Sequence, residues 1–111
     1  MAESKPRDLS MSFSVDVLKL CEGIKGHYSL VNQLERSATS IGANIHEANY
    51  AQSKADFLSK LQIALKECAE TEYWIELLME SGYYDDKETL DKCVELKRIL
   101  ISSLNTAKKN R

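Results

Sequence analysis

Four stretches of the chain repeat their apolar residues every three to four positions, and short polar breaks separate the stretches. This spacing places the apolar side chains of each stretch on one side of an α-helix. The 111 residues include one proline and four glycines, whereas a β-rich fold needs many more turn-forming residues. The predicted helices cover about residues 8–26, 29–51, 53–82 and 86–108.

The breaks between the stretches carry helix start and stop signals. Gly23 and Gly26 suit the end of the first helix. The residues predicted to cap the helices that follow are Ser29, Ser53 (with Asp56 three residues later), and either Asp85 or Asp86. The connections are two to five residues long, so neighbouring helices are expected to run antiparallel. The sequence therefore predicts an all-α fold, with residues 1–111 forming one antiparallel up-down-up-down four-helix bundle.

The apolar stripes of the four helices form the predicted core. On the first two helices they are Phe13, Val17, Leu20, Cys21 and Ile24, then Leu30, Leu34, Ala38, Ile41, Ile45 and Ala48. On the last two they are Phe57, Leu61, Ala64, Leu65, Cys68, Ile75, Leu78 and Met79, then Leu90, Cys93, Val94, Leu100, Ile101 and Leu104.

The three cysteines, Cys21, Cys68 and Cys93, lie in separate apolar stripes, and no CxxC or Cys/His spacing joins them. They are expected to be buried, reduced thiols, with a disulfide or a metal cluster as the alternative. Reduced thiols favour a cytoplasmic location. No run reaches the roughly 18 apolar residues of a membrane span, and residues 1–8 lack a signal-peptide pattern.

The second predicted helix differs from an ordinary surface helix because its outer side carries few charges. Between residues 29 and 52 the charged side chains are Glu35, Arg36 and Glu47. Small or uncharged residues take the other non-core positions and suggest close approach to another helix: Ser37, Thr39, Ser40, Gly42, Ala43, Asn44 and His46.

Four polar residues of this helix, at spacings of four, four and three, share one side: Arg36, Ser40, Asn44 and Glu47. We expect them to form a buried or interfacial hydrogen-bond network; the alternative is a solvated face with bonds inside the helix. Glu72 lies near the core arc of the third helix, so Arg36 is expected to pair with Glu72 or Glu70. Loss of a buried Arg36 would then cost about 3–5 kcal/mol of stability.

Several apolar residues fall outside the four stripes, and their number on a short chain favours self-association. They are Met11, Val15 and Leu18 on the first helix, Trp74 and Leu77 on the third, and Ile99 on the fourth.

The sequence lacks the motifs that catalysis would need. There is no HExxH, phosphate-binding loop or nucleophile elbow, and neither His27 nor His46 completes a Glu-x-x-His motif. The sequence therefore predicts a protein that is not an enzyme, with no cofactor, no metal ion and no small-molecule substrate.

The net charge of −2 gives no overall basic footprint, but the charge is uneven along the chain. Residues 53–84 carry three Lys against six acids, whereas residues 85–111 carry seven Lys and Arg against five. Five residues are candidates for contact with nucleic acid: Lys97, Arg98, Lys108, Lys109 and Arg111. The alternative is that they form a solvated tail.

The run from Gln33 to Ala48 resembles a signature that reads roughly QL-x-R-[AS]-x-x-S-I-x-x-N-I-x-E. The matching residues are Arg36, Ser40, Ile41, Asn44, Ile45 and Glu47. Asp56-Phe57 and the segments 63–67 and 70–72 resemble the same family. This family consists of bacterial four-helix bundle proteins encoded in intervening sequences of 23S ribosomal RNA genes, also labelled S23 ribosomal proteins. The resemblance covers about residues 13–104.

The resemblance implies an up-down-up-down bundle that assembles into a pentameric ring. It also implies kinship with the accessory variability determinant of diversity-generating retroelements, a basic pentameric barrel that binds nucleic acid and a reverse transcriptase. This chain differs from that relative in its acidic overall charge. We therefore expect a homo-oligomeric binding or scaffold protein whose partner is RNA, DNA or a nucleic-acid enzyme. The alternative is an adaptor that binds proteins alone.

Overall fold

The computed structural model describes residues 5–110 and contains four α-helices: α1 Lys5–Glu22, α2 Tyr28–Ala48, α3 Lys54–Glu80 and α4 Lys87–Lys109. Helix α1 packs on α2 and α4, and α3 packs on the same two helices, so that each helix contacts two others. A 2.6 Å hydrogen bond between His27 Nε2 and the Tyr83 hydroxyl joins the α1–α2 and α3–α4 connections. Both connections therefore lie at one end of the bundle, as the predicted antiparallel arrangement requires. The four-helix, all-α fold is confirmed.

The helix ends agree with the predicted ones to within two residues, except in α1 and at the end of α2, which stops at Ala48, three residues before its predicted end. Helix α1 begins at Lys5 and ends at Glu22, four residues before the predicted stop. Proline is tolerated in a first helical turn, where its missing N–H has no partner to lose, and Pro6 stands there. The predicted cap Ser29 is wrong: Ser29 lies inside α2, and His27 occupies the N-cap with a left-handed backbone (φ 52°) and no side-chain cap bond.

The predicted caps of the last two helices are present. The Ser53 hydroxyl accepts from the amide of Asp56 at 3.0 Å, and the Asp56 carboxylate accepts from the amide of Gln52. Of the two candidates for α4, Asp86 is the cap, and it accepts from the amide of Glu88 at 2.9 Å. These bonds satisfy amide groups that have no partner within the helix.

The core runs the length of the bundle and contains most of the predicted stripes. Phe13, Leu34, Ile41 and Leu100 are completely buried. Ile101 is 43% exposed, so its assignment to the core is wrong. Leu96, which the predicted stripe of α4 left out, is buried instead. It lies three positions after Cys93 and four before Leu100, on the same side of α4.

The three cysteines are buried free thiols, as expected, and the Sγ atoms of Cys68 and Cys93 lie 3.8 Å apart. Burial, with a smaller contribution from the charge of Glu35, raises the pKa of Cys21 to about 12. The pKa of Cys93 is also raised, chiefly by its hydrogen bond with Cys68 and by burial. Such thiols are inert packing residues. None of the helices described between residues 5 and 110 combines the length and apolar character that a bilayer crossing requires.

Candidate functional site

The polar stripe of α2 faces the seam with α3. The Arg36 guanidinium pairs with Glu70, donates to Glu67 at 3.2 Å and donates to Gln33 within its own helix. Glu70 also accepts from the indole of Trp74 at 2.9 Å. In the single chain 51% of the Arg36 side-chain surface is exposed, so Arg36 is not buried within the bundle, and an interfacial role stays a prediction. Because water screens exposed pairs, the expected cost of removing Arg36 falls to about 1 kcal/mol.

The remaining members of the stripe do not join Arg36 in one network. The amide of Asn44 donates to the backbone oxygen and the hydroxyl of Ser40, at 2.9 and 3.1 Å. Glu47 lies further along and pairs with Lys60 of α3 at 2.9 Å. This hydrogen bond raises the pKa of Lys60. The stripe therefore combines two separate contacts to α3 with one bond inside α2.

Glu72 does not contact Arg36, contrary to one of the two predicted pairings. It accepts from Lys97 of α4 at 2.7 Å, and this bond raises the pKa of Lys97. On a helix, residues 70 and 72 point about 200° apart, so they face different neighbours. Glu70 faces α2 and Glu72 faces α4.

A buried hydrogen bond that sequence reasoning missed also joins α2 to α3. The Thr71 hydroxyl donates to the Ser37 hydroxyl at 2.8 Å, and both side chains are completely buried. Ser37 in turn donates to the carbonyl oxygen of Leu34 at 3.3 Å. The heptad-like spacing of Ala64, Cys68, Thr71 and Ile75 is the signal that could have placed Thr71 in the core.

A groove runs between α1 and α2, on the opposite side of the bundle from the α3/α4 pair. We call it the α1/α2 groove; its volume is about 350 Å³, and it is lined by Arg7, Ser10, Met11, Ser14, Thr39, Gly42, Ala43 and His46. A Cβ atom on Gly42 would lie 3.4 Å from the hydroxyl of Ser10, in van der Waals contact, so the α2 backbone at Gly42 lies close to α1. The predicted close approach of α2 to another helix is therefore in part an approach to α1 of its own chain.

The apolar residues left over on α1 are exposed, and Met11 among them lines this groove. Met11, Val15 and Leu18 are 63%, 42% and 44% exposed and follow one another at spacings of four and three. They form an exposed apolar row on one side of α1. Of the other residues outside the predicted stripes, Trp74 packs partly against the core, and Leu77 and Ile99 are half-buried.

The five residues proposed for nucleic-acid contact do not form one patch. Lys97 is engaged by Glu72, and Arg111 lies outside the described residues. Arg98 and Lys109 are exposed on the same side of α4, but eleven residues of helix separate them by about 16 Å. Lys108 is exposed beside Lys109 in the last turn of α4. Contact of these residues with nucleic acid stays a prediction, and Lys108 and Lys109 are the adjacent exposed pair.

The charges are divided along the 46 Å length of the bundle. One half, formed by residues 14–38 and 68–98, carries twelve Asp and Glu against seven Lys and Arg, a net charge of −5. The other half, formed by residues 5–13, 39–67 and 99–110, carries four acids against seven bases, a net charge of +3. We call them the acidic half and the basic half. Lys108 and Lys109 belong to the basic half.

Residues 5–110 contain no group of three His, Cys, Asp or Glu side chains placed to hold a metal ion. The polar contacts described above are ion pairs and caps that hold helices together. The features that could serve a partner are surfaces: the α1/α2 groove with its apolar row, and the two charged halves.

Comparisons with known proteins identify relatives of the whole bundle. A sequence model of the family described as 23S rRNA-intervening sequence protein matches residues 3–102. The chain is 41% identical to a crystal structure of a protein of unknown function from the S23 ribosomal protein family of Bacteroides thetaiotaomicron. That match covers 89% of this chain and 97% of the other, with a TM-score of 0.84. No curated protein shows significant sequence similarity to the chain.

Proposed function

Because the chain belongs to the family of 23S rRNA-intervening sequence proteins, we propose that it is a non-enzymatic binding protein of the cytoplasm. In this proposal it assembles with further copies of itself through the α1/α2 groove and contacts nucleic acid through its basic half. The observation that carries the proposal is the exposed apolar row of Met11, Val15 and Leu18 on α1, of which Met11 lines that groove.

Self-association is supported by the shape and chemistry of this side of the bundle. Exposed apolar side chains arranged in a row beside a groove are typical of a surface that another molecule covers. The α2 wall includes two small residues, Gly42 and Ala43, between Thr39 and His46, and a neighbouring helix can approach closely at the small pair. The family resemblance implies five subunits, and a closed ring places the same end of every subunit on the same rim.

Contact with nucleic acid is supported by the division of charge. A ring that repeats the basic half around one rim gathers positive charge that a single copy of this acidic chain lacks. Lys108 and Lys109 lie at the end of that half. Phosphate contacts made by such lysines carry no sequence information, so we propose recognition of the nucleic-acid backbone.

The assembly is tested by replacing exposed members of the apolar row. Met11→Lys with Val15→Lys should reduce the mass measured by light scattering to that of a single chain. Ile101→Lys is the matched control, because Ile101 has the same exposure as Val15 but lies on α4. A wild-type protein that is monomeric, or a double variant that stays assembled, contradicts the proposal.

Nucleic-acid contact is tested on the assembled protein by retention of a structured RNA on a filter. Retention should weaken steeply as salt rises, since each neutralised phosphate releases counterions. Lys108→Glu with Lys109→Glu should reduce retention, whereas Lys19→Glu with Lys25→Glu, an equal change of charge in the acidic half, should reduce it less. Failure of an assembled protein to retain RNA or DNA at any salt concentration would favour the adaptor that binds proteins alone.

A further inference from the structure

The outer side of the last turns of α3 forms a second groove with the start of α4, which neither self-association nor nucleic-acid contact uses. We call it the α3/α4 groove; its volume is about 480 Å³, and it is lined by Tyr73, Glu76, Leu77, Met79, Glu80 and Leu90. Leu77, Met79 and Leu90 are half-buried and give the groove an apolar floor, and Met79 and Leu90 also pack against the core. Tyr73 stands at its edge with 57% of its surface exposed.

The rim of the groove is negatively charged, and its charges are uncompensated. Glu76 and Glu80 are exposed, and no Lys or Arg among residues 5–110 lies within ion-pair distance of either. They follow each other by four residues on α3, where like charges repel. The last turn of α3 also contains no basic residue, whereas the last turns of α1, α2 and α4 contain Lys19, His46 and Lys108.

The C-terminal end of a helix carries partial negative charge from its unpaired carbonyl groups. Glu76 and Glu80 therefore add negative charge where the helix is already negative, in the half of the bundle with a net charge of −5. This arrangement costs the isolated bundle some stability. A cationic partner would relieve the repulsion and at the same time cover the apolar floor.

We propose that the α3/α4 groove is the docking site for a basic amphipathic helical segment of a partner protein, with apolar side chains on one face and Lys or Arg on the other. The apolar face would cover Leu77 and Leu90, and the basic side chains would reach Glu76 and Glu80. Nucleic acid does not fit this surface, because its phosphates would meet the acidic half of the bundle. The site lies across the bundle from the α1/α2 groove, so docking and self-association do not compete.

The direct test uses two synthetic helical peptides of about 18 residues, long enough for several helical turns, with leucine at the same positions. One carries lysine and the other glutamate at the remaining positions. Fluorescence anisotropy of labelled peptide should show that the full chain binds the lysine peptide and not the glutamate peptide. Added salt should weaken the binding without abolishing it, since salt screens the charge attraction but not the apolar contact with the groove floor.

Two double variants distinguish peptide binding at this groove from attraction by the net negative charge of the acidic half. Glu76→Lys with Glu80→Lys should weaken binding of the lysine peptide about tenfold or more, because it reverses the rim charge. Glu22→Lys with Glu95→Lys makes the same change of net charge at exposed sites away from the groove and should weaken binding far less. Leu77→Ser should weaken the binding that remains at high salt.

Three results would overturn the inference. One is equal binding of the two peptides, and another is an equal loss of binding in the two double-lysine variants. The third is a change in the light-scattering mass of Glu76→Lys with Glu80→Lys, which would make the groove a contact between copies of this chain. None of these results bears on the proposed self-association through the α1/α2 groove, which is tested separately by the light-scattering mass of the double variant Met11→Lys with Val15→Lys.

Discussion

At the scale of single residues, Arg36 shows how exposure determines the value of an ion pair. It contacts Glu67, Glu70 and Gln33, which looks like a strong network. Its side chain nevertheless keeps half of its exposure, and water screens the attraction between exposed charges. Glu67 is less exposed, at 17% of its side-chain surface, so the network holds α2 against α3 at the edge of the core.

Replacing Arg36 by alanine should therefore lower the free energy of unfolding by about 1 kcal/mol, the upper part of the range for exposed pairs. Urea denaturation followed by circular dichroism measures this change. Arg98→Ala is the matched control: Arg98 is exposed and has no ion pair with any residue from 5 to 110, so its loss should be almost neutral. A loss of 3 kcal/mol or more in Arg36→Ala would mean that the guanidinium is buried after all.

The sequence predicts that Arg36 meets a glutamate of α3 but leaves Glu70 and Glu72 as equal candidates. Helical periodicity shows how far a residue lies from the core arc. It does not show which neighbouring helix stands on which side, because that depends on the handedness of the bundle. For the same reason the role of Lys97 was missed: its partner Glu72 is visible only once α4 is known to lie on that side of α3.

At the scale of the helices, α2 is fixed from both sides by small residues. Gly42 lies against Ser10 and Ser14 of α1, and Ser37 is hydrogen-bonded to Thr71 of α3 in the core. Each hydroxyl also bonds to a carbonyl oxygen of its own helix, Ser37 to Leu34 and Thr71 to Glu67, so the loss of one partner removes from the other its bond to the neighbouring helix. The pair therefore sets the register of α2 against α3 as well as adding to stability.

A double-mutant cycle tests this pair. Ser37→Ala and Thr71→Val should each destabilise the bundle by about 1–2 kcal/mol, because each leaves the other hydroxyl without that partner. The double variant should cost less than the sum of the two, with a coupling of about 1 kcal/mol. Additive losses in thermal or urea unfolding would show that the two hydroxyls do not interact.

Helix existence and the caps Ser53 and Asp86 could be read from the sequence because their signals are local. The start of α2 could not. His27 takes a left-handed backbone that few non-glycine residues adopt, and its ring is held by Tyr83 from a connection 56 residues away. This bond between two loops forms only when the four helices of one chain have packed together, so no local sequence pattern near residue 27 predicts it.

At the scale of the whole molecule, the buried thiols make the free energy of unfolding fall at alkaline pH. The folded chain holds the Cys21 proton to about pH 12, whereas the unfolded thiol loses it near its ordinary pKa of 9.0. The raised pKa of Lys60 and Lys97 acts in the same direction above their ordinary value of 10.5. The free energy of unfolding should therefore be highest below about pH 9 and fall as pH rises toward 12.

Urea titrations between pH 7 and 11 measure this loss. Cys21→Ala should make the decline shallower, because it removes one of the groups that hold a proton only when folded. Iodoacetamide at pH 8 should label the thiols at the rate of unfolding rather than at the rate of a free cysteine. Stability that rises above pH 9 would contradict the raised pKa values of Cys21 and Cys93.

The division of charge is also a property of the whole molecule that the sequence could not show directly. Cutting the chain after residue 84 gives an acidic and a basic portion, but α3 starts in the basic half and ends in the acidic half. Antiparallel helices bring together residues that are distant in sequence, so charge has to be summed by position along the bundle. The sum places Lys97 and Arg98 in the acidic half and Lys54 and Lys66 in the basic half, which consecutive segments do not reveal.

A rod-shaped molecule with opposite charge in its two halves is an electric dipole. The field of a charged partner orients such a molecule before the two come into contact. A polyanion would meet one end first and a polycation the other. Two oppositely charged molecules could then be held at once without competing for space. The bundle would act as a tether between them, with its 46 Å length setting their separation.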